Sequence, residues 1–114
     1  MQCGAGIRGF VVQGHAGWDT RGKDVVCAGV SAACHMALAG LVDILGKLVD
    51  LEKSEGYMAV RVPAGAADLP GVRAVLRAFE LEMEAIQRSY PGNLELMRST
   101  ELQKGGTGLD EPFE

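Results

Sequence analysis

The sequence predicts an α+β fold, a small two-layer α/β sandwich in which two long helices pack on one small, largely antiparallel sheet. Two observations support this prediction. Long segments with helical patterns run from about residue 24 or 25 to about residue 48 and from about residue 69 to residue 90. Short apolar segments with strand character lie before, between and after them, so we expect the helices to cover one face of the sheet.

Length and composition indicate a single globular domain. The chain has 114 residues, of which 47% are hydrophobic and 23% charged, and a chain of this size can bury a core without disulfide bonds. We expect that domain to span residues 1–104. Residues 105–114 are glycine-rich and acidic, which predicts a disordered tail.

Cysteine usage and charge restrict the compartment and the partners. The three cysteines, an odd number, and an N-terminal stretch without a long apolar segment predict a reducing, cytoplasmic location. The net charge is −4 and Lys and Arg form no cluster, which argues against direct nucleic-acid binding. An acidic protein suits a basic peptide substrate.

Three short segments are typical of strands: residues 10–13 (FVVQ), residues 57–62 (YMAVRV), which Pro63 ends, and residues 94 to about 102. The predicted order is therefore strand, helix, strand, helix, strand.

The first helix is unusually apolar. Asp24 is a candidate N-cap residue, and residues 25–42 carry no fixed charge, which reaches the lower limit of a transmembrane span. Because this run contains Ser31, His35 and two glycines, we expect a helix buried in a small domain and no membrane partner.

The second helix has one apolar stripe with alternating spacings of three and four residues. Its members are Leu69, Val72, Leu76, Phe79, Met83, Ile86 and Tyr90. Asp68 is expected to cap the start of this helix, and Pro91-Gly92 to stop it.

Cys27 and His15 are the residues with the clearest chemistry. We expect Cys27 in or just before the first turn of the first helix, where free amides and the helix dipole would favour a thiolate and hold an oxyanion. If the intervening loop folds back, His15 can serve as its base. The alternative from the residues alone is an inert core cysteine and a surface histidine.

The run GHAGWDTRGKDVVCAGVSA resembles the signature of the bacterial ribosomal-processing cysteine proteases. That family shows a Gly-His-Ala element, a short variable loop, then Gly-x-Asp-(Ile/Val)-Val-Cys-Ala followed by Val-Ser-Ala. The residues, their order and the loop length all match.

The resemblance implies a homodimeric, cytoplasmic cysteine endopeptidase without a cofactor. Its substrate in the family is the N-terminal extension of large-subunit ribosomal protein number twenty-seven, and its activity supports ribosome assembly. Carried onto this sequence, the resemblance implies Cys27 as nucleophile and His15 as general base. Asp24 is a possible orienting residue and Ser31 a possible support.

Other residues of the same region are open to two interpretations. Trp18 anchors the loop or contacts the aromatic residues of a substrate, and Gly22 belongs to a set of glycines expected to form a lid over the substrate. Cys34 and His35 lack the spacing of a metal site, so we expect core packing and no metal. Cys3, near the terminus, is expected to be an exposed thiol.

One departure from the family pattern and two rival functions remain. Members of the family usually have a further strand where this chain has only MQCGAG, which predicts a missing first strand and an open sheet edge. The rivals to a peptidase are a non-catalytic ribosome-associated binding module and a thiol redox sensor that uses Cys27 and Cys34.

Overall fold

The computed structural model describes residues 1–14 and 21–98, with the backbone alone at residues 21–24 and 98. Five strands and two long helices follow in the order β1 (Gln2–Gly6), β2 (Gly9–Gln13), α1 (Arg21–Leu45), β3 (Asp50–Ser54), β4 (Tyr57–Arg61), α2 (Pro70–Ser89) and β5 (Glu95–Arg98). Short 3₁₀ helices span Gly46–Leu48 and Ala64–Asp68. The predicted tail at residues 105–114 lies outside the described residues.

The strands form one sheet in the order β3-β4-β2-β1-β5. Only the β1–β5 pair is parallel, and the other three pairs are antiparallel. The main core lies between this sheet and the two helices, where the rings of Phe10 on β2 and Phe79 on α2 stack with centroids 4.0 Å apart. The predicted fold, two helices on one largely antiparallel sheet, is confirmed.

The predicted absence of a first strand is wrong. Gln2–Gly6 forms β1, which lies between β2 and β5 and so leaves no open edge at that place. Its sequence, QCGAG, lacks the β-branched and aromatic residues that signal a strand. It is a strand because both of its sides are paired and because Cys3 and Ala5 are buried under the helices.

β3 is a second strand that the pattern did not predict. All five of its residues, DLEKS, are exposed, so it has no apolar run to mark it. It forms through antiparallel pairing with β4, across the two-residue turn Glu55-Gly56. Arg61 of β4 binds the carboxylates of Asp50 and Glu52 on β3, at 3.1 and 3.0 Å.

The predicted N-cap residues of the two helices need correction. α1 begins at Arg21, so Asp24 is the fourth helical residue and not the N-cap. α2 begins at Pro70 after Leu69, and no side chain caps it, so the predicted capping by Asp68 is also wrong. Proline suits the first position of a helix because the amide that it lacks has no partner within the helix.

The composition of α1 predicted a helix buried on all sides, but the structure exposes one side of it. Six residues face the core, at 26, 30, 33, 34, 37 and 41, whereas Val25, Met36 and Val42 are 45 to 73% exposed. By length and composition, the stretch Val25–Leu48 could cross a membrane, a test that core helices of soluble proteins also pass. In this fold its inner face packs on the sheet and on α2.

α2 agrees with its predicted stripe. Val72, Leu76, Phe79, Met83 and Ile86 are all buried against the sheet and α1. Leu69 precedes the helix and is exposed, because its backbone is still extended and does not follow the helical spacing of the stripe.

Candidate active site

Cys27 is exposed on α1, whereas Cys3 and Cys34 are buried. It is exposed although its helical neighbours Val26 and Val30 point into the core, 1% exposed each. Of the three thiols, Cys27 is therefore the one that solvent and a peptide can reach in this structure.

The predicted place of Cys27 at the helix start is wrong by about one turn. Cys27 is the seventh residue of α1, roughly 9 Å of rise beyond Arg21. The effect of the helix dipole falls off within the first turn, and the free amides belong to the first four residues. The start of the helix therefore contributes little to the electrostatics at Cys27.

Cys34 occupies the core side of the same helix. Burial raises the pKa of the Cys34 thiol from 9.0 to about 12, because an apolar interior disfavours the thiolate. The prediction that Cys34 packs in the core is confirmed, while the expectation of an exposed thiol at Cys3 is wrong because β1 is an inner strand.

Ser31 lies one helical turn beyond Cys27 and is also exposed. Residues four apart on a helix are neighbours on one face, so Ser31 and Cys27 share an accessible surface. Its predicted supporting role thus agrees with its position and remains a prediction.

Asp24 lies three residues before Cys27 in α1, a spacing that places both positions on one face of the helix, and Gly22 is the second residue of that helix. The side-chain surroundings of these two positions are outside the described part of the chain. His15 and Trp18 also lie outside the described residues, so their predicted roles rest on the sequence.

The chain has two histidines, and the structure argues against one of them, His35, as the base for Cys27. His35 is eight residues further along α1, about 12 Å of rise away. Its Nε2 lies 3.5 Å from Nζ of Lys53 on β3, so the ring is directed to the edge strand. His15 is therefore the one histidine left as a candidate base.

The chain reaches His15 from the end of β2. Gly14, the residue before it, donates its N–H to the carbonyl oxygen of Gly56 in the β3–β4 turn at 2.8 Å. Sequence reasoning missed this contact, although the Glu55-Gly56 pair beside an apolar run is a turn signal that could have revealed the hairpin.

A metal site and a ligand cavity are two other possible kinds of functional site. No group of three His, Cys, Asp or Glu side chains among the described residues could hold a metal ion. A cavity of about 810 Å³ lies between the β1–β2 turn and the start of α2, lined in part by Gly6, Ile7 and Arg73. It is at the opposite end of β1 and β2 from Gly14, and thus apart from the route to His15.

Comparison with known proteins identifies the family. The family model described as cysteine protease Prp matches residues 2–95. The ribosomal processing cysteine protease Prp of Bacillus subtilis is 30% identical over 93 residues, covering 78% of this chain and 83% of that protein.

Solved structures show the same fold. The ribosomal processing protease Prp from S. aureus with a covalently linked product peptide has a TM-score of 0.73 at 18% identity, over 85% of this chain and 97% of that chain. The same protease with a substrate peptide has a TM-score of 0.73 at 17% identity and equal coverage. With the family match, the accessible thiol and the shared fold, this chain belongs to the cysteine protease Prp family and is a cysteine peptidase.

Proposed function

We propose that this protein is an endopeptidase that removes the N-terminal extension of large-subunit ribosomal protein number twenty-seven, with Cys27 as nucleophile and His15 as general base. The observation that supports it is the contrast among the thiols: Cys27 is exposed within the matched motif, whereas the other two cysteines are buried. The relative from Bacillus subtilis is itself named a ribosomal processing protease.

The reaction proceeds through a thioester. His15 takes the proton of the Cys27 thiol, and the thiolate attacks the carbonyl carbon of the scissile peptide bond. Collapse of the tetrahedral intermediate breaks the C–N bond, and the imidazolium gives its proton to the leaving amine. Water, deprotonated by His15, then hydrolyses the thioester and restores the thiol.

The proposed mechanism depends more strongly on His15 than it would if Cys27 lay at the start of the helix. Because Cys27 lies in the second turn of α1, the dipole supports its negative charge weakly. An imidazolium at His15 would supply the missing positive charge beside the sulfur. Asp24, on the same face of the helix as Cys27, is proposed to orient that ring.

The substrate is proposed to be an extended, basic segment with aromatic residues at the cut. The net charge of −4 favours a basic peptide over an acidic one. Trp18 and Gly22 are proposed to contact the substrate, and Ser31 to support it from the exposed surface next to Cys27.

The test uses a synthetic peptide with the extended N-terminus of that ribosomal protein, incubated with wild type, Cys27→Ala and Cys34→Ala, and analysed by mass spectrometry. One defined cut is expected with wild type and Cys34→Ala and none with Cys27→Ala. A cut that persists in Cys27→Ala would remove the mechanism, and a peptide that binds but stays intact with wild type would favour the non-catalytic binding module.

We also propose that the protein acts as a homodimer in the cytoplasm. Val25, Met36, Val42 and Ile44 expose apolar side chains along α1, and a second copy would remove that surface from water. Sedimentation should give a dimer for wild type and a monomer for Met36→Asp. Ile7→Asp, on a comparably exposed residue of the β1–β2 turn, is the control and should remain dimeric.

A further inference from the structure

Gly14 is hydrogen-bonded at the point where the chain leaves β2. Its N–H donates to the carbonyl oxygen of Gly56 at 2.8 Å, which extends the β2–β4 register one step beyond the Gln13–Tyr57 pair. On the other side, a Cβ at Gly14 would lie 3.4 Å from the Cα of Met1. The residue is thus anchored to the β3–β4 turn and lies beside the start of β1.

Both partners of this contact need the conformational freedom of glycine. Gly14 has φ +95° and Gly56 has φ +72°, and no other residue type has a positive φ in the described part of the chain. L-residues adopt this region rarely because their Cβ crowds the neighbouring carbonyl. A side chain at residue 56 therefore disturbs the turn whose carbonyl oxygen receives the Gly14 amide.

We propose that Gly56 is a positioning residue for the peptidase reaction, because its carbonyl oxygen anchors Gly14 and so fixes where, and in which direction, the segment of His15 begins. Gly14 is bonded directly to His15 in the chain. The inference rests on the proposed role of His15 as the base.

Small displacements at this point matter. A general base must come within hydrogen-bond reach of the atom that it deprotonates. A misplacement of about 1 Å can lower a rate roughly 100-fold. Gly56 acts through Gly14 and His15 and does not itself need to touch the substrate.

The chain contains a matched control. Gly46, in the connection between α1 and β3, has φ +60°, and a Cβ at this residue would have no described atom within 4 Å. Replacing Gly46 or Gly56 by Ala imposes a similar backbone strain, since both residues lie in the left-handed region. Only Gly56 contacts Gly14 among the described backbone hydrogen bonds.

The experiment measures kcat and KM with the extended ribosomal-protein peptide, and the hydrogen exchange rate of the Gly14 amide. We expect Gly56→Ala to lower kcat by about 10- to 100-fold with KM within about twofold, and to speed exchange at Gly14. Gly56→Asn should recover much of the activity, because Asn tolerates positive φ better than Ala. Gly46→Ala should match wild type in both measurements.

The outcomes separate this inference from the proposed function. Equal kcat values for Gly56→Ala and Gly46→Ala, in a background where wild type cleaves, would overturn the inference alone. Wild type that fails to cleave, or His15→Ala that cleaves normally, would overturn the proposed function and the inference with it. If Gly56→Ala does not fold, the kcat values of Gly56→Asn and Gly46→Asn are compared instead. We expect kcat to fall about threefold in Gly56→Asn and to stay unchanged in Gly46→Asn.

Discussion

α1 and α2 both pack one face on the sheet, yet their opposite faces are built differently. The outer face of α2 carries charged side chains such as Arg73, Arg77 and Arg88. The outer face of α1 carries small and apolar residues, and residues 28–34, the two turns that follow Cys27, include no Asp, Glu, Lys or Arg. A helix that only supports the core can have a charged, solvated outer face, whereas α1, which carries the proposed nucleophile, has uncharged exposed positions near Cys27 that a substrate can approach.

A second contrast, in burial, exists within α1 between Cys27 and Cys34. Seven residues, about two helical turns, separate the two thiols, so they point in nearly the same direction, yet Cys27 is exposed near the start of the helix and Cys34 is buried further along it. One helix thus places one thiol where a peptide can reach it and another where the core suppresses its ionisation. Accessibility, rather than residue type, thus distinguishes the proposed nucleophile from a cysteine of the core.

The sharpest test of this contrast is loss of the proposed nucleophile. Cys27→Ala should lower kcat/KM on the ribosomal-protein peptide by at least about 10³-fold, because no thioester can form. Cys34→Ala removes a thiol of the same helix and should leave kcat within about twofold at a temperature where it is folded. Equal losses in the two variants would mean that α1 affects activity through stability alone.

The supporting role of α2 predicts a loss of stability from its inner face. Phe79→Ala removes the ring that stacks on Phe10 and should lower the free energy of unfolding by about 3–5 kcal/mol, measured by urea denaturation. Leu81→Ala, on the same helix but 46% exposed, should change it by less than about 0.5 kcal/mol. Similar values for the two variants would contradict the assignment of the inner face.

The buried thiol of Cys34 predicts a dependence of stability on alkaline pH. Its pKa is raised from 9.0 to about 12 in the folded state, so the unfolded chain loses this proton first as the pH rises. The contribution is complete below about pH 9 and is lost as the pH rises towards 12. The difference in unfolding free energy between wild type and Cys34→Ala, followed by urea titrations from pH 8 to 10.5, should therefore shrink above pH 9.

A constant difference across that range would show that Cys34 is not titrating as a buried thiol. Alkylation gives an independent check, since Cys27 should react with iodoacetamide in the folded protein while Cys34 should react only after unfolding.

The smallest effect is expected from the charged face of α2. Arg77 binds Glu80 at 2.9 Å, but its side chain is 59% exposed. Exposed ion pairs contribute little because water and salt screen them, so Arg77→Ala should lower stability by about 0.5 kcal/mol or less. The change should leave cleavage unaltered; a larger loss would indicate that this face has a partner, as is proposed for that of α1.

The amino-acid sequence by itself determined the features that depend on local pattern. The period of α2 defined its buried stripe because Val72, Leu76 and Phe79 recur at the spacing of a helix. The motif around His15 and Cys27 predicted the family, because a motif consists of residue types at fixed spacing and can be recognised in the sequence without a structure. The strands at Phe10 and Tyr57 were predicted from their apolar runs.

Only the tertiary structure decided the features that depend on neighbours distant in the chain. β1 is a strand because β2 and β5 pair with it, and the glycine-rich sequence contains no local preference for that state. The outer side of α1 was not predictable, since a helix apolar all round does not show which side meets the sheet. The anchoring of Gly14 by Gly56 joins residues 42 positions apart, and a contact of that range forms only when the sheet assembles.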